Sequence, residues 1–355
     1  MPTEPRREPG PPKRDAFTHR GRPFVRMSLP GAHADAPPFA VAQPLADRYQ
    51  VGELVSVGEF GVVLRGHDPR TRRDVIIKAL RSDAIRIPPP DDALPEAWAG
   101  EIRRLRHLLQ AERRLLVHLR NAGCRVVPLP VDYAYDRNPV WEGGQPPLDD
   151  ALAESEPYLV LEHIPGPSLE ELLAKNFPRG MPEADALRLI FPVVEALAVL
   201  HRPWTLRNGR TWHCVYQDLK PANLLVEPSG SPRLIDFGGC QIVVDGVPVL
   251  EGSHTPGYEA PECVGSTGVL LPSADVYGIG TTLVHMLSGI DPRDRRPGTR
   301  PDAGLPGRTS TGVRDLLARC LASRPSDRLA DATAVAAAIT PLLDHGRTRR
   351  LAPSP

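Results

Sequence analysis

Apolar and polar positions change their period near Ser168. Ahead of it, short runs rich in β-branched residues, Val51 to Val57, Val62 to Arg65 and Asp74 to Leu80, are separated by Gly or Asp-Pro and predict three antiparallel strands. Residues 81 to 95, with Pro88, Pro89 and Pro90 together, predict a loop. Ile102, Leu105, Leu108, Leu109, Leu115, Leu116 and Leu119 then recur at helical spacing and predict one long helix or two short ones over 95 to 120. Val126 to Tyr133 and Tyr158 to Glu162 read as two further strands, divided by a Pro/Gly-rich insertion from Asp136 to Glu156. Beyond Ser168 the period is mostly helical, over 168 to 176, 182 to 202, 273 to 288, 311 to 322 and 330 to 343. A strand-rich part followed by a helix-rich part predicts an α+β chain of two lobes, a small β-rich N-lobe and a larger helical C-lobe.

The two ends lack this periodicity. Residues 1 to 44 hold ten prolines and seven Lys or Arg, a composition that buries too little apolar surface to offset its ordering entropy, and they predict a disordered basic tail. Residues 344 to 355, with Arg347, Arg349 and Arg350 and two prolines, predict a frayed basic C-terminal tail. The folded part is expected over 45 to 343, with the N-lobe at 45 to 162 and the C-lobe at 163 to 343.

Composition narrows the function classes. The 43 Lys plus Arg balance 43 Asp plus Glu over 355 residues, so the basic surplus of a duplex nucleic-acid binder is missing and no nucleic-acid partner is expected. The five cysteines form no C-x-x-C pair, which points away from a zinc ribbon or disulfide framework and toward a reducing cytoplasm. The most apolar run, Ile190 to Leu200, is broken by Pro192 and Glu195, so no membrane span is expected, and the first twenty residues lack the apolar stretch of a secretory signal.

The candidate chemistry lies in ordered motifs. Val55 to Val63, V-S-V-G-E-F-G-V-V, joins two predicted strands, and its glycines let backbone amides approach a polyphosphate, although an ordinary hairpin looks the same. Fifteen residues past Val63, V-I-I-K ends a predicted strand at Lys78. The chain has only four lysines against 39 arginines, and two of the four, Lys78 and Lys220, fall inside these motifs, where a compact ammonium does what a planar guanidinium cannot. Tyr216 to Leu225 reads Y-Q-D-L-K-P-A-N-L-L and is followed by Asp236-Phe237-Gly238 and Ala260-Pro261-Glu262.

Taken in this order, the five motifs resemble the eukaryotic-type serine/threonine protein kinases, a family also found in bacteria, over about residues 49 to 343. The resemblance implies the two-lobed protein kinase-like fold, with ATP and Mg2+ as cofactors and protein Ser/Thr hydroxyls as acceptors, the chain itself among them by autophosphorylation. Lys78 would hold the α and β phosphates while a helix glutamate fixes its ammonium. Glu101 and Glu112 compete for that task. Glu112 is favoured because Leu115, Leu116 and Leu119 then fall where the family's helix packs and Asn121-Ala122-Gly123 ends it at the expected distance.

Asp218 would accept the proton of the incoming hydroxyl, and Lys220 would neutralise the transferred phosphoryl. Asn223 and Asp236 would bind magnesium through hard oxygens. The nucleotide-binding set implied is Val55, Ser56, Val57, Gly58, Glu59, Phe60 and Gly61 of the phosphate loop, with Val63, Ile76 and Leu225 around the base. Tyr158 to Ile164 resembles the hinge, with Leu161 as gatekeeper and backbone groups of Glu162 and Ile164 reading adenine. Asp275 resembles the aspartate that braces the catalytic loop, and Glu262 with Arg328 a buried ion pair under the activation segment.

Three positions depart from the family pattern. Ser56 replaces the first glycine of the phosphate loop, which predicts weaker nucleotide binding. Tyr216-Gln217 stands where the family carries His-Arg, and neutral Gln217 offers no cation to a phosphorylated activation loop. Ser253, Thr255 and Tyr258 are the only hydroxyls between Gly238 and Ala260, and Thr255 resembles the threonine that contacts the catalytic aspartate. Activation-loop phosphorylation is therefore not expected to be the main switch. Residues 289 to 310 replace a helix that in the family often docks substrates. A nucleotide-binding scaffold without transfer, or a small-molecule kinase on the same fold, remain alternatives.

Overall fold

In a computed structural model, the chain is described over residues 14–19, 21–30, 39–58, 61–81, 95–137, 155–205, 208–250, 255–264, 270–296 and 298–350, without the side chains of 95–102, 249–250 and 344–350. It divides into two compact units, residues 1–114 with 129–163 and residues 115–128 with 164–355.

The first unit holds two antiparallel sheets. Strands β1 (Arg14–His19), β2 (Arg22–Met27) and β3 (Phe39–Ala42) pair in that order. Strands β4 (Gln50–Val57), β5 (Gly61–Asp68) and β6 (Arg73–Leu80) precede helix α1 (Pro95–Asn121), and β7 (Pro130–Asp136) and β8 (Glu156–Glu162) follow it, giving the order β4-β5-β6-β8-β7. Alternation decides what each face meets. Val62 and Leu64 of β5 and Val75, Ile77 and Ala79 of β6 are buried, and they share one core with Met27, Leu29, Phe39, Val41, Leu45, Tyr49, Tyr158 and Val160. Val63, Ile76 and Lys78, at the alternate positions, are half-buried.

The expectation of a disordered tail over 1 to 44 is corrected for the described residues 14–19, 21–30 and 39–44. Averaged over the segment, prolines and arginines hide two short apolar runs, Phe24 to Met27 and Phe39 to Ala42, that pair in register Phe24↔Ala42 to Met27↔Phe39. They are ordered because the five-stranded sheet offers an apolar face, and burying Phe24, Val25, Met27, Phe39 and Val41 supplies what local composition cannot. The strand expected from Val126 starts instead at Pro130. Val126 belongs to the second unit, where its carbonyl accepts from the Leu234 amide at 2.7 Å.

In the second unit lie α2 (Leu169–Asn176), α3 (Glu183–His201), β9 (Trp204–Thr205), β10 (Thr211–Val215), β11 (Leu224–Val226), β12 (Pro232–Leu234), β13 (Gln241–Val244), β14 (Val247–Leu250), α4 (Ser273–Ser288), α5 (Thr311–Cys320) and α6 (Ala332–Arg350). Ser168 caps α2 in a reciprocal box with Glu171, and Ser310 caps α5 through the Val313 amide. Helix α4 is buried all round, and three of its hydroxyls bond to carbonyls: Thr281 to Tyr277, Thr282 to Leu219 and Ser288 to Val284. Gly280 lets α5 approach, since a Cβ there would meet Cys320 Cβ at 2.9 Å and Leu321 Cδ2 at 2.8 Å. Gly289 ends α4 in the left-handed region at φ 72°.

Two expectations change here. Beyond Ser168 the chain also forms a four-stranded sheet in the order β14-β13-β10-β9, and α6 continues as helix to Arg350 rather than fraying after 343.

Candidate active site

In the first unit the register of β5, β6 and β8 collects the predicted nucleotide-facing residues. Val63 lies opposite Lys78, Lys78 opposite Leu159, and Ile76 opposite Leu161, and directly opposed residues share a face. That face is the one not covered by β2 and β3. Lys78 Nζ donates to Glu112 Oε1 at 2.6 Å, with the carboxylate 2% exposed. The pair fixes the ammonium at the end of β6 by a charge-assisted bond from α1. The side chain of Glu101, the competing glutamate, lies outside the described residues.

The β4–β5 connection closes through the Gly58 amide, which donates to the Gly61 carbonyl at 2.8 Å, and Arg81 Nη1 holds the Gly58 carbonyl at 2.9 Å. Val55 and Ser56 are exposed and Val57 is half-buried, whereas Glu59 and Phe60 lie outside the described residues. Leu161 is buried at the end of β8. The Glu162 amide donates to the Leu129 carbonyl at 3.0 Å, and its carboxylate accepts from the Leu129 amide at 2.8 Å. Ile164 opens the second unit and is buried.

Within the second unit, Asp275 holds the segment that leads into Asp218. Its carboxylate, 1% exposed, accepts from the backbone amides of Tyr216 and Gln217 at 2.7 Å each and from His201 Nε2 at 2.8 Å. Gln217 is thereby held at φ 69°, a strained conformation for a residue with a Cβ. Asp218 follows directly. Its carboxylate accepts from Lys220 Nζ at 2.8 and 3.0 Å, from Thr255 Oγ1 at 2.6 Å and from Asn223 Nδ2 at 2.8 Å. Three predicted or flagged residues therefore meet at this one carboxylate. Because Asn223 spends its amide nitrogen on Asp218, its Oδ1 is left as the hard acceptor that a magnesium ion requires.

Asp236 adopts φ 62° and Phe237 is buried edge-on against Tyr216, with ring centroids 5.3 Å apart. Tyr216 donates its hydroxyl to the Ile235 carbonyl at 2.6 Å, and burial, reinforced by Asp236 and Asp218, raises its phenol pKa well above the ordinary value. Leu225 is half-buried on β11 opposite Arg233, and Ser168 bridges to it. Among the described residues no group of three or more His, Cys, Asp or Glu could hold a metal by itself. Asn223 and Asp236 fit magnesium that arrives with phosphate oxygens, since this ion is commonly held by one or two carboxylates plus substrate phosphates.

Glu262 and Arg328 form a two-pronged pair at 2.6 and 2.8 Å, and the Arg328 side chain is fully buried. After Asp236-Phe237-Gly238 the chain forms the β13–β14 hairpin, which sequence reading passed over. Its signal was Asp245-Gly246, an Asp-Gly turn with both residues at positive φ, 51° and 80°. Asp245 docks the turn on β10: its amide donates to the Thr211 carbonyl at 2.8 Å, and its carboxylate accepts from the Thr211 amide at 2.8 Å and Arg210 Nε at 2.9 Å. Ser253 lies outside the described residues. Gln217 Nε2 is buried with no hydrogen-bond partner among the described residues.

Comparisons with known proteins agree with this geometry. The serine/threonine-protein kinase PknL of Mycobacterium tuberculosis is 28% identical over 308 residues, 82% of this chain and 65% of that protein. PknB of Mycobacterium leprae, also named a serine/threonine-protein kinase, is 27% identical over 251 residues, 70% of this chain and 33% of its own length. Mitogen-activated protein kinase kinase kinase 3 of Arabidopsis thaliana is 28% identical over 324 residues, 86% of this chain and 43% of its length. The chain thus spans between one third and about two thirds of the curated relatives it matches here. The family described as protein kinase domain matches residues 49–340, which contain Lys78, Glu112 and the whole Asp218 network, and the chain belongs to that family.

Proposed function

We propose that the chain transfers the γ-phosphoryl group of ATP to Ser or Thr hydroxyls of proteins, including its own. The observation that carries this reading is the Asp218 carboxylate, held at once by Lys220, Thr255 and Asn223. Held in this way, Asp218 presents an acceptor for the hydroxyl proton as the oxygen attacks the γ-phosphorus. Lys220, two residues on, supplies positive charge beside the transferred group. Lys78, fixed by Glu112, binds and orients the α and β phosphates, while Gly58, Gly61, Val63, Ile76 and Leu161 of the first unit face the nucleotide. Magnesium, held by Asn223 and Asp236, supplies neutralisation of phosphate charge when bound. The five cysteines form no C-x-x-C pair, which supports placing the reaction in a reducing cytoplasm.

The test is transfer from labelled ATP with magnesium, to the chain itself and to a generic protein substrate. Asp218→Asn is expected to lower kcat about 10³-fold by removing the base, and Lys78→Met to abolish labelling. Absence of labelling in the wild type, with ATP still raising its melting temperature, would sink the transfer reading in favour of a nucleotide-binding scaffold or a small-molecule kinase.

A further inference from the structure

Helix α1 carries a second ion pair besides Lys78–Glu112. Arg106 Nη2 lies 2.6 Å from Glu156 Oε1 and Arg106 Nε 3.3 Å from Glu156 Oε2, a two-pronged contact with the side chains 14% and 5% exposed. Arg106 precedes Glu112 by six residues, about 9 Å along a helix axis. The two ties end on neighbouring strands, Glu112 on Lys78 of β6 and Arg106 on Glu156 of β8. One tie leaves a helix free to roll or slide about its contact, whereas two ties so far apart fix both rotation and register.

Glu156 also has a like-charged neighbour. Asp136, 5% exposed, lies directly opposite it in the β7–β8 ladder, where equal charges repel. Arg22 of β2 grips Asp136 with Nη1 and Nη2, each at 2.8 Å, and the Ala46 and Arg137 amides donate to it at 2.6 and 2.7 Å. Arg22 and the two amides thus offset the like charge that faces Glu156, the partner of Arg106. Without Arg22, two buried carboxylates would compete for the Arg106 guanidinium.

We infer that Arg106 and Glu156 are positioning residues that hold α1 where Glu112 reaches Lys78, and that Arg22 of the N-terminal sheet maintains this tie by neutralising Asp136. The inference rests on the proposed role of Lys78 in binding ATP phosphates. It gives the N-terminal strands a part in nucleotide binding that their composition does not suggest.

Two readouts test it. Having only four lysines makes Lys78 easy to follow by mass spectrometry during acylation with a succinimidyl ester, with exposed Lys175 as internal reference. In Arg106→Ala or Glu156→Gln, Lys78 acylation relative to Lys175 is expected to rise about threefold and KM for ATP about fivefold, the size of coupling within one ion-pair network, with kcat changed less. Arg22→Ala is expected to shift both in the same direction but less, and the swap Arg106→Glu with Glu156→Arg to recover them. A lower melting temperature with KM and Lys78 acylation unchanged would overturn the inference. Should Arg106→Ala fail to fold, Glu156→Gln, which keeps side-chain volume, carries the same expectation. Acylation is read without ATP, so loss of phosphoryl transfer in the wild type would remove the functional reading while the tie is still judged on Lys78 labelling.

Discussion

Replacing Asp275 by Asn exchanges one carboxylate oxygen for an NH2 group at nearly constant volume, yet it should damage both stability and turnover. The carboxylate accepts from the Tyr216 amide through Oδ2 and the Gln217 amide through Oδ1, and His201 Nε2 also reaches Oδ2. The Ala332 amide donates to His201 Nδ1 at 3.1 Å, so Nε2 carries the proton and needs an acceptor. An amide has one oxygen, so in either orientation its NH2 must face a backbone N–H. The loss combines a charge-assisted bond of about 1.5–3 kcal/mol with a buried unsatisfied donor of about 1–3 kcal/mol. The expected sum is about 2.5–6 kcal/mol, or a fall in melting temperature on the order of 10 °C for a domain of this size. The effect on rate follows from Gln217, whose positive φ is over-determined only while Asp275 grips both amides. Relaxation there moves Asp218, and a misplacement of about 1 Å is enough for a loss of about 10²-fold in kcat. Circular-dichroism melts and initial rates at saturating ATP measure both, with Asp185→Asn, an exposed pair to Arg188, as a control expected to shift stability by less than about 1 kcal/mol. A variant melting within about 2 °C of wild type with unchanged kcat would refute the reasoning.

Other outcomes follow from the same structure. Gly280→Ala should destabilise by about 1–3 kcal/mol, because the new Cβ meets Cys320 Cβ at 2.9 Å and Leu321 Cδ2 at 2.8 Å across the α4–α5 contact; an unchanged denaturation midpoint would show that α5 yields without cost. The two-pronged bond from Arg48 holds Asp68 well below the ordinary carboxylate range, so Asp68 contributes stability that is complete above about pH 4 and lost as the pH falls further. Urea titrations from pH 6 to pH 2 should show a shallower acid loss in Arg48→Ala than in wild type. Phosphatase-treated protein should keep its activity, since Gln217 presents no cation to a phosphate and Asp245 docks the activation segment on β10. Activity that disappears on dephosphorylation and returns when Ser253 is phosphorylated would refute this.

How much was readable from the chain differs between motifs and surroundings. The strands β4 to β6, helix α1 and helices α2 to α5 follow from hydrophobic period and caps, because those signals lie within one turn or one hairpin. The proposed catalytic residues were readable for the same reason: Asp218, Lys220 and Asn223 sit within six residues, and the proposed chemistry demands those side chains in that order. The Asp245-Gly246 turn was equally local, but its flanking strands were lost in a half of the chain whose period is mainly helical.

Packing decided the rest. Arg22–Met27 and Phe39–Ala42 have the composition of a tail and become strands only because one face of the β4 to β8 sheet is apolar and must be covered. The pairs Arg22–Asp136 and Arg106–Glu156 join residues 114 and 50 positions apart, and each is an ordinary surface charge until burial makes its partner obligatory. The choice between Glu101 and Glu112 had the same character: helical spacing offered both, and the bond to Lys78 depends on how α1 meets β6. The sequence by itself determined the candidate catalytic groups and most local elements, because local chemistry specifies them; the covered sheet, the buried charge pairs and the partner of Lys78 were decided by tertiary structure, because they depend on which distant groups burial brings together.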